Sequence, residues 1–191
     1  MIIIGLAGKA RVGKDTAAAY LNDRHKLAQV AFAQPIKHAL TALGFYQEDY
    51  DTVERKNEII PWLGVSYRRL AQTLGTEWGR ELHPDFWLLL AQRGVEAREK
   101  LGCSGVVISD VRFDNEADWV RARGGLIVHM EGPARSGMAV DGEGHASERG
   151  IKRQLNDVVV SNNGSLDFLY RQLDTVMEML EQDRRFLEND E

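Results

Sequence analysis

Residues 1–16 read Met1-Ile2-Ile3-Ile4-Gly5-Leu6-Ala7-Gly8-Lys9-Ala10-Arg11-Val12-Gly13-Lys14-Asp15-Thr16. The leading aliphatic residues predict a short buried strand, and the residues from Asp15 onwards predict a helix. Between them, Gly8, four residues, Gly13 and Lys14 form the pattern of a phosphate-binding loop. Glycines let several backbone N–H groups converge on one anion, and the helix N-terminus adds partial positive charge. The order of strand, loop and helix therefore predicts a polyphosphate site rather than a plain glycine turn.

The residue after Lys14 is Asp15, where such loops usually carry a serine or threonine that binds Mg²⁺. A carboxylate beside a polyphosphate is repelled unless it faces a cation. We therefore expect Asp15 to face hydrated magnesium or Lys14, with N-terminal capping of the helix as the alternative. The Lys14 tip is expected to be solvated in the absence of nucleotide. This loop variant looks like that of nucleoside monophosphate kinases.

The composition is that of a soluble globular protein of one domain. The chain has 191 residues, 43% hydrophobic and 28% charged, and a net charge of −5. This charge offers no general attraction to polymeric nucleic acid or to an anionic membrane. Cys103 is the single cysteine, which excludes an intramolecular disulfide. No long apolar run and no secretory signal pattern is present, so we expect a cytoplasmic protein without a membrane partner.

Five apolar stretches separated by helical patterns predict an α/β fold with a five-stranded parallel sheet flanked by helices. The predicted strands lie near residues 2–4, 27–33, 105–110, 126–130 and 157–161. His129 alternates with apolar residues, which favours a half-buried strand histidine over a catalytic base.

Local signals also predict where several helices begin and end. Ser66 is expected to cap a helix over 67–74 that ends at Gly75, and Asp114 is expected to cap a later helix. The chain from Glu181 is acidic and is expected to fray.

The predicted strand at 105–110 ends in a carboxylate. Asp110 follows Val106-Val107-Ile108-Ser109, an arrangement in which a strand-terminal carboxylate holds Mg²⁺ or its waters. Arg112 comes two residues later and is expected at the same edge of the sheet.

Basic residues between the second and third strands are candidates for a second phosphate. Lys37 lies in the first turn of a predicted helix, near the carboxyl end of a strand, where ligands of parallel sheets collect. Arg68, Arg69 and Arg80 fall within thirteen residues, and a guanidinium matches phosphate bidentately. Solvated surface positions are the alternative for all four.

Residues 132–150 contain five glycines and suit a lid rather than an ordinary connection, with a plain surface loop as the alternative. The polar groups that such a lid could bring to a phosphate are Arg135, His145, Glu148, Arg149 and Arg153.

Five segments in this order resemble the phage-type deoxynucleoside monophosphate kinases, over residues 1 to about 175. They are Gly8-x-x-x-x-Gly13-Lys14-Asp15-Thr16, Leu74-Gly75-Thr76-Glu77-Trp78-Gly79-Arg80, Ser109-Asp110-Val111-Arg112-Phe113, His145-Ala146-Ser147-Glu148 and Ser161-Asn162-Asn163-Gly164-Ser165. Animal phosphomevalonate kinases look similar in the first segment and in the later arginines, and they are the nearest rival.

The resemblance implies a P-loop kinase fold that transfers the γ-phosphoryl group of ATP to a deoxynucleoside monophosphate. It implies a core of residues 1–44, 84–131 and 151–188, an acceptor-binding insertion at about 45–83, and the lid at about 132–150. The cofactors would be ATP and Mg²⁺, and the partner would be a small-molecule nucleoside monophosphate. A homodimer is left open.

The resemblance also implies roles for individual residues. ATP would be held by Gly8, Lys9, Arg11, Val12, Gly13, Lys14, Asp15 and Thr16, and the chain at Asn163 and Gly164 would run alongside the adenine. Asp15 and Asp110 would place hydrated magnesium, and catalysis would use Lys14, Asp110, Arg112 and Arg135. The acceptor side would use Lys37, Arg68, Arg69, Thr76, Trp78, Arg80, His145 and Glu148. Of these, Lys37, Arg69 and Arg80 would bind the acceptor phosphate. An acceptor phosphate is already anionic near pH 7, so no general base is required.

Other classes fit less well. A GTPase switch would need a guanine-reading Asn-Lys-x-Asp motif, which is absent. Dephospho-coenzyme A kinases usually carry Gly-Lys-Ser-Thr in the loop, and a non-catalytic nucleotide sensor stays open. Eight aromatic residues lie between Lys37 and Trp87, where a base could stack, and this favours a nucleotide acceptor over phosphomevalonate.

Overall fold

A computed structural model describes residues 1–133 and 150–189 of the chain. The strands are β1 Ile2–Ala7, β2 Ala28–Val30, β3 Gly105–Val111, β4 Leu126–Glu131 and β5 Val158–Ser161. They form one sheet that is parallel throughout, with the order β2-β3-β1-β4-β5, and this confirms the predicted fold class. The first strand lies at the centre, so the loop that follows it opens at the middle of the carboxyl edge of the sheet.

Helices occupy most of the chain between the strands. They are α1 Lys14–His25, α2 Gln34–Ala42, α3 Val53–Asn57, α4 Tyr67–Gln72, α5 Phe86–Lys100, α6 Asp114–Ala122 and α7 Leu166–Asn189, with a 3₁₀ turn at Gln47–Asp49. The last helix continues well past Glu181, so the fraying expected from that residue is wrong. Its apolar positions recur every three or four residues and keep one face buried.

A π-helix over Thr73–Arg80 continues α4, so the expected helix end at Gly75 is wrong. Gly75 is buried at a position where a larger residue would not fit, because a Cβ there would lie 2.9 Å from Ile36 Cδ1. Its carbonyl accepts a hydrogen bond from Trp87 Nε1 at 2.6 Å. Gly79 likewise leaves room for the Trp87 ring, which a Cβ would approach to 2.5 Å. Both glycines therefore serve close packing against α2 and α5.

Two compact units make up the chain. The first consists of Met1–Ala31 and Val95–Glu191, and the second of Phe32–Gly94. The core of the first unit packs α1 and α7 on the sheet. Its fully buried members include Ile4, Leu6, Leu21, Val107, Val128, Leu169 and Leu173.

The second unit has its own smaller core around Tyr67. Leu40 and Phe45 are buried with it, and the Tyr50 ring stacks on the Tyr67 ring at 4.7 Å. Burial, together with the neighbouring Tyr50 and Asp49, raises the pKa of Tyr67 to about 12. Its buried hydroxyl has no hydrogen-bond partner.

A buried carboxylate joins β4, α6 and the chain that leads into β5. Asp157 Oδ2 accepts a hydrogen bond from Arg121 Nη2 at 2.6 Å and lies 2.9 Å from His129 Nε2. It also accepts the Gln154 N–H at 2.8 Å. Burial alone would raise the pKa of Asp157, but the bonds from Arg121, Gln154 and His129 outweigh it and lower the pKa to about 2. His129 is thus a largely buried strand histidine with a structural partner, as its alternation with apolar residues indicated.

This network should make stability depend on pH in a defined window. The folded pKa of Asp157 lies below its ordinary value of 3.8, so its charge stabilises the fold above pH 4 and the benefit is lost as pH falls towards 2. We expect the gap in unfolding free energy between the wild type and Asp157→Asn to shrink by about 2 kcal/mol between pH 6 and pH 2. Urea unfolding at both pH values measures it.

The control for this prediction is Asp23→Asn, which changes an exposed carboxylate on α1 and should alter stability little at either pH. A gap for Asp157→Asn that stays constant down to pH 2 would contradict the network's role.

Candidate functional site

The glycines of the phosphate-binding loop are required by both conformation and space. The backbone has positive φ at Gly8 (139°), Arg11 (64°) and Gly13 (102°). A Cβ at Gly8 would lie 2.5 Å from the Met130 carbonyl oxygen, and one at Gly13 would overlap the Asn162 amide. The loop therefore has the chain reversal that a phosphate nest needs.

Asn162 fastens this loop to the ends of the neighbouring strands. Its Nδ2 donates to the Val12 carbonyl at 2.9 Å, and its backbone N–H donates to Glu131 O at 2.6 Å. Sequence reasoning selected the next two residues, Asn163 and Gly164, which are exposed in the turn after β5. It missed Asn162, although an amide directly after a strand at this edge is a usable signal.

Lys14 begins α1 and folds back along the loop. Its Nζ, which was expected to be solvated, donates to Gly8 O at 2.7 Å and to Lys9 O at 2.8 Å in an exposed position. Two carbonyls hold the ammonium group on the loop, where a phosphate oxygen would compete for it. This arrangement keeps the cation at the predicted anion site.

Asp15 is exposed in the first turn of α1 and does not cap it. The N-cap position is Gly13, and no side chain caps the helix there. The capping alternative for Asp15 is therefore wrong. Without a side-chain cap, the first-turn N–H groups of α1 can donate to an anion. Thr16 is likewise exposed.

Strand pairing brings the end of β3 beside the loop. Ala7, the residue before Gly8, is paired with Val111. Asp110 is half-buried at the end of β3, and Arg112 is exposed immediately beyond it. The sheet thus carries Asp110 and Arg112 to the same edge as the phosphate-binding loop, as the order of segments predicts.

Glu116, rather than Asp114, caps the start of α6. Glu116 Oε2 accepts the N–H groups of Arg112 at 2.9 Å and Phe113 at 3.2 Å. Asp114 instead accepts the Lys152 N–H at 2.9 Å, which holds the chain beyond residue 150 on α6. The capping expected of Asp114 is therefore wrong because its carboxylate is engaged with a distant segment.

The acceptor-side candidates lie in the second unit, and the two adjacent arginines differ sharply. Arg69 forms an ion pair with Glu77 at 2.7 Å. Arg68 is half-buried, and its buried Nε has no hydrogen-bond partner. A buried donor without a partner is costly unless a ligand or water completes it. The two arginines therefore differ in pairing, because Glu77 neutralises Arg69 while Arg68 Nε has no bond within the protein.

The remaining candidates of this unit offer charge and aromatic surface. Lys37 is exposed, with Nζ 5.8 Å from the Tyr50 ring centroid. Arg80 Nη1 donates to the Pro84 carbonyl at 3.2 Å, and Thr76 is half-buried on the π-helix. Trp78 is 51% exposed, and its ring meets Phe86 edge-on at 5.4 Å. Trp78 therefore packs against Phe86 and Trp87 while about half of its surface stays exposed.

Some candidates lie outside the described residues, namely Arg135, His145, Glu148 and Arg149, together with most of the lid expected at 132–150. Their roles stay predictions. Within 1–133 and 150–189, no group of three or more His, Cys, Asp or Glu side chains is arranged to hold a metal ion. None of the helices in that part of the chain has the length and apolar character needed to cross a membrane.

The central phosphate-binding loop, the parallel sheet and the strand order define a P-loop kinase fold. Among solved structures, dephospho-CoA kinase from Campylobacter jejuni has a similar fold, with a TM-score of 0.51, 10% identity, and coverage of 95% of this chain and 98% of that one. The family model described as deoxynucleotide monophosphate kinase matches residues 2–60 and 46–173. The chain belongs to the deoxynucleotide monophosphate kinase family.

Named relatives agree with this assignment. A protein of Acanthamoeba polyphaga mimivirus, provisionally named a deoxynucleotide monophosphate kinase, is 35% identical over an alignment of 190 residues that covers 91% of this chain and 94% of the relative. The deoxynucleotide monophosphate kinase of Enterobacteria phage T4 is 24% identical, over 94% of this chain and all of the relative. The resemblance stated from the sequence is confirmed.

Proposed function

We propose that this kinase transfers the γ-phosphoryl group of ATP to a deoxynucleoside monophosphate, giving ADP and the diphosphate. The observation that carries the proposal is the glycine loop with Lys14 held on it, in a chain of this family. Such a loop surrounds phosphate oxygens with N–H groups and a cation. The reaction uses free nucleotides, which is why we place it in the cytoplasm, or in the host cytoplasm if the protein is viral.

The donor side follows from the residues at the carboxyl edge of the sheet. The loop from Gly8 to Thr16 binds the ATP phosphates, and the chain at Asn163-Gly164 runs alongside the adenine. Asp15 and Asp110 would hold hydrated magnesium, which would neutralise charge on the ATP phosphates. Two carboxylates fit an ion that keeps most of its own water shell, because Mg²⁺ is commonly bound through one or two carboxylates and substrate phosphates.

Charge stabilisation of the transferred group falls to Lys14 and Arg112. Pairing of Ala7 with Val111 supports this assignment, because Arg112 leaves the sheet beside the strand that leads into the loop. An ammonium and a guanidinium group stabilise the phosphoryl oxygens by charge alone, so transfer needs no proton donor from either side chain. Catalysis then consists of positioning together with neutralisation of the phosphoryl oxygens.

The acceptor side is assigned to residues 45–83 with Lys37. The unpartnered Nε of Arg68 supports this arginine as the main phosphate ligand, with Lys37 and Arg80 adding positive charge. The open surface of Trp78 supports base stacking, which contributes roughly 1–3 kcal/mol per base where it has been measured. A flat apolar surface beside cations suits a nucleotide better than phosphomevalonate.

A direct test of the proposal is the dependence of turnover on magnesium. We expect ATP and a deoxynucleoside monophosphate to give ADP and the diphosphate in a 1:1 ratio with Mg²⁺. Excess EDTA should abolish turnover, because Mg²⁺ neutralises charge on the β- and γ-phosphates. Chromatographic separation of all four nucleotides measures the ratio. Full turnover in the presence of excess EDTA would contradict the role given to Asp15 and Asp110.

A further inference from the structure

Glu116 is a buried carboxylate with a specific task at the edge of the sheet. Its residue exposure is 2%, and such a group is costly to bury unless it is hydrogen-bonded. The required bonds come from the backbone N–H groups of Arg112 and Phe113, both to Oε2. The carboxylate thus fixes the two residues that connect β3 to α6.

The helix that carries Glu116 is itself anchored in the core. Ala117 and Val120 of α6 are fully buried, and Val120 packs so closely that a Cβ at Gly5 would lie 3.4 Å from it. The Ala117 N–H donates to the Phe113 carbonyl at 3.1 Å and closes the first turn. Glu116 therefore holds the backbone of Arg112 against a helix that is itself fixed in the core.

Two independent constraints then act on Arg112. The preceding residue, Val111, is paired with Ala7 at the start of the phosphate-binding loop. The backbone N–H of Arg112 itself donates to Glu116. We propose that Glu116 is a positioning residue that fixes the backbone from which Arg112 reaches the transferred phosphoryl group. This inference rests on the role proposed for Arg112.

A double-mutant cycle separates positioning from a merely structural role. Glu116→Ala should lower kcat about tenfold, the scale seen when partners that orient a functional group are removed. The KM values for ATP and acceptor should change little, because the loss falls on the transition state. In an Arg112→Ala background, the same change should lower kcat by less than about twofold. Unchanged kcat, or the same factor in both backgrounds, would overturn the inference.

The shorter acid provides the second variant if Glu116→Ala does not fold. Glu116→Asp keeps the charge, but its side chain is one methylene shorter and falls short of both N–H groups, so the same cycle applies with the same criteria. Asp174→Asn on α7 is the control: it removes a carboxylate that binds Tyr20 and His25, and it should lower stability while leaving kcat unchanged.

The cycle also separates the inference from the proposal on which it rests. If Arg112→Ala lowers kcat but Glu116→Ala does not, the positioning role fails and the function stands. If Arg112→Ala leaves kcat unchanged, the role of Arg112 fails and the positioning role fails with it. Turnover of deoxynucleoside monophosphates by the wild type reports separately on the activity itself.

Discussion

Lys14→Ala is expected to lower kcat by about 10²-fold, a loss of about 3 kcal/mol in transition-state stabilisation, the scale of removing one preorganised donor. The lysine is held on the loop by the carbonyls of Gly8 and Lys9, so its charge is already at the site before nucleotide binds. The fold should persist because the loop glycines and the Asn162 contact remain. Steady-state kinetics with a thermal melt measures both effects.

The control for this variant is Lys100→Ala, which removes an exposed lysine at the end of α5. It should leave kcat within about twofold of the wild type, because surface substitutions away from special features change little. Unchanged turnover in Lys14→Ala would contradict the assignment of the loop as the site of phosphoryl transfer.

Arg68→Ala is expected to lower kcat/KM for the deoxynucleoside monophosphate by about 10- to 100-fold, with the KM for ATP little changed. A hydrogen bond to a charged group contributes roughly 1.5–3 kcal/mol, which corresponds to that range. Because the buried Nε of Arg68 has no hydrogen-bond partner in the protein, we expect the guanidinium to turn towards the acceptor phosphate when the nucleotide binds.

Arg69→Ala is the matched comparison, since it removes the adjacent guanidinium from the same helix. Its ion pair with Glu77 already neutralises it, and its side chain is 58% exposed. We expect a loss of less than about fivefold, because exposed ion pairs contribute little. Kinetics at varied acceptor concentration compares the two variants. A larger loss for Arg69→Ala than for Arg68→Ala would reverse the assignment.

The parts of the fold that sequence could predict are those encoded locally. Short apolar runs gave all five strands, and the Gly8–Gly13–Lys14 pattern placed the loop between β1 and α1. The continuation of the helix through Gly75 was not predictable in the same way. A glycine can serve a left-handed turn or close packing, and only the position of Ile36 and Trp87 shows that packing applies here.

The same limit applies to the site. The sequence places Arg68 and Arg69 side by side, but their difference depends on Glu77, eight residues after Arg69, and on burial of one Nε. Asn162 binds the Val12 carbonyl, which is distant in sequence, and Glu116 binds backbone N–H groups three and four residues before it. Neither contact produces a periodic pattern of apolar residues. Sequence reasoning therefore finds the residue types that carry charge and misses those that hold the backbone.

The choice of acceptor tests the central claim most directly. Purified protein with ATP and Mg²⁺ is assayed for ADP release against the four deoxynucleoside monophosphates, the four ribonucleoside monophosphates and phosphomevalonate, with the phosphorylated product identified by mass. We expect turnover with at least one deoxynucleoside monophosphate and none with phosphomevalonate, because the second unit combines the unpartnered Arg68 with the open surface of Trp78. Efficient phosphorylation of phosphomevalonate, with every deoxynucleotide inert, would contradict the account.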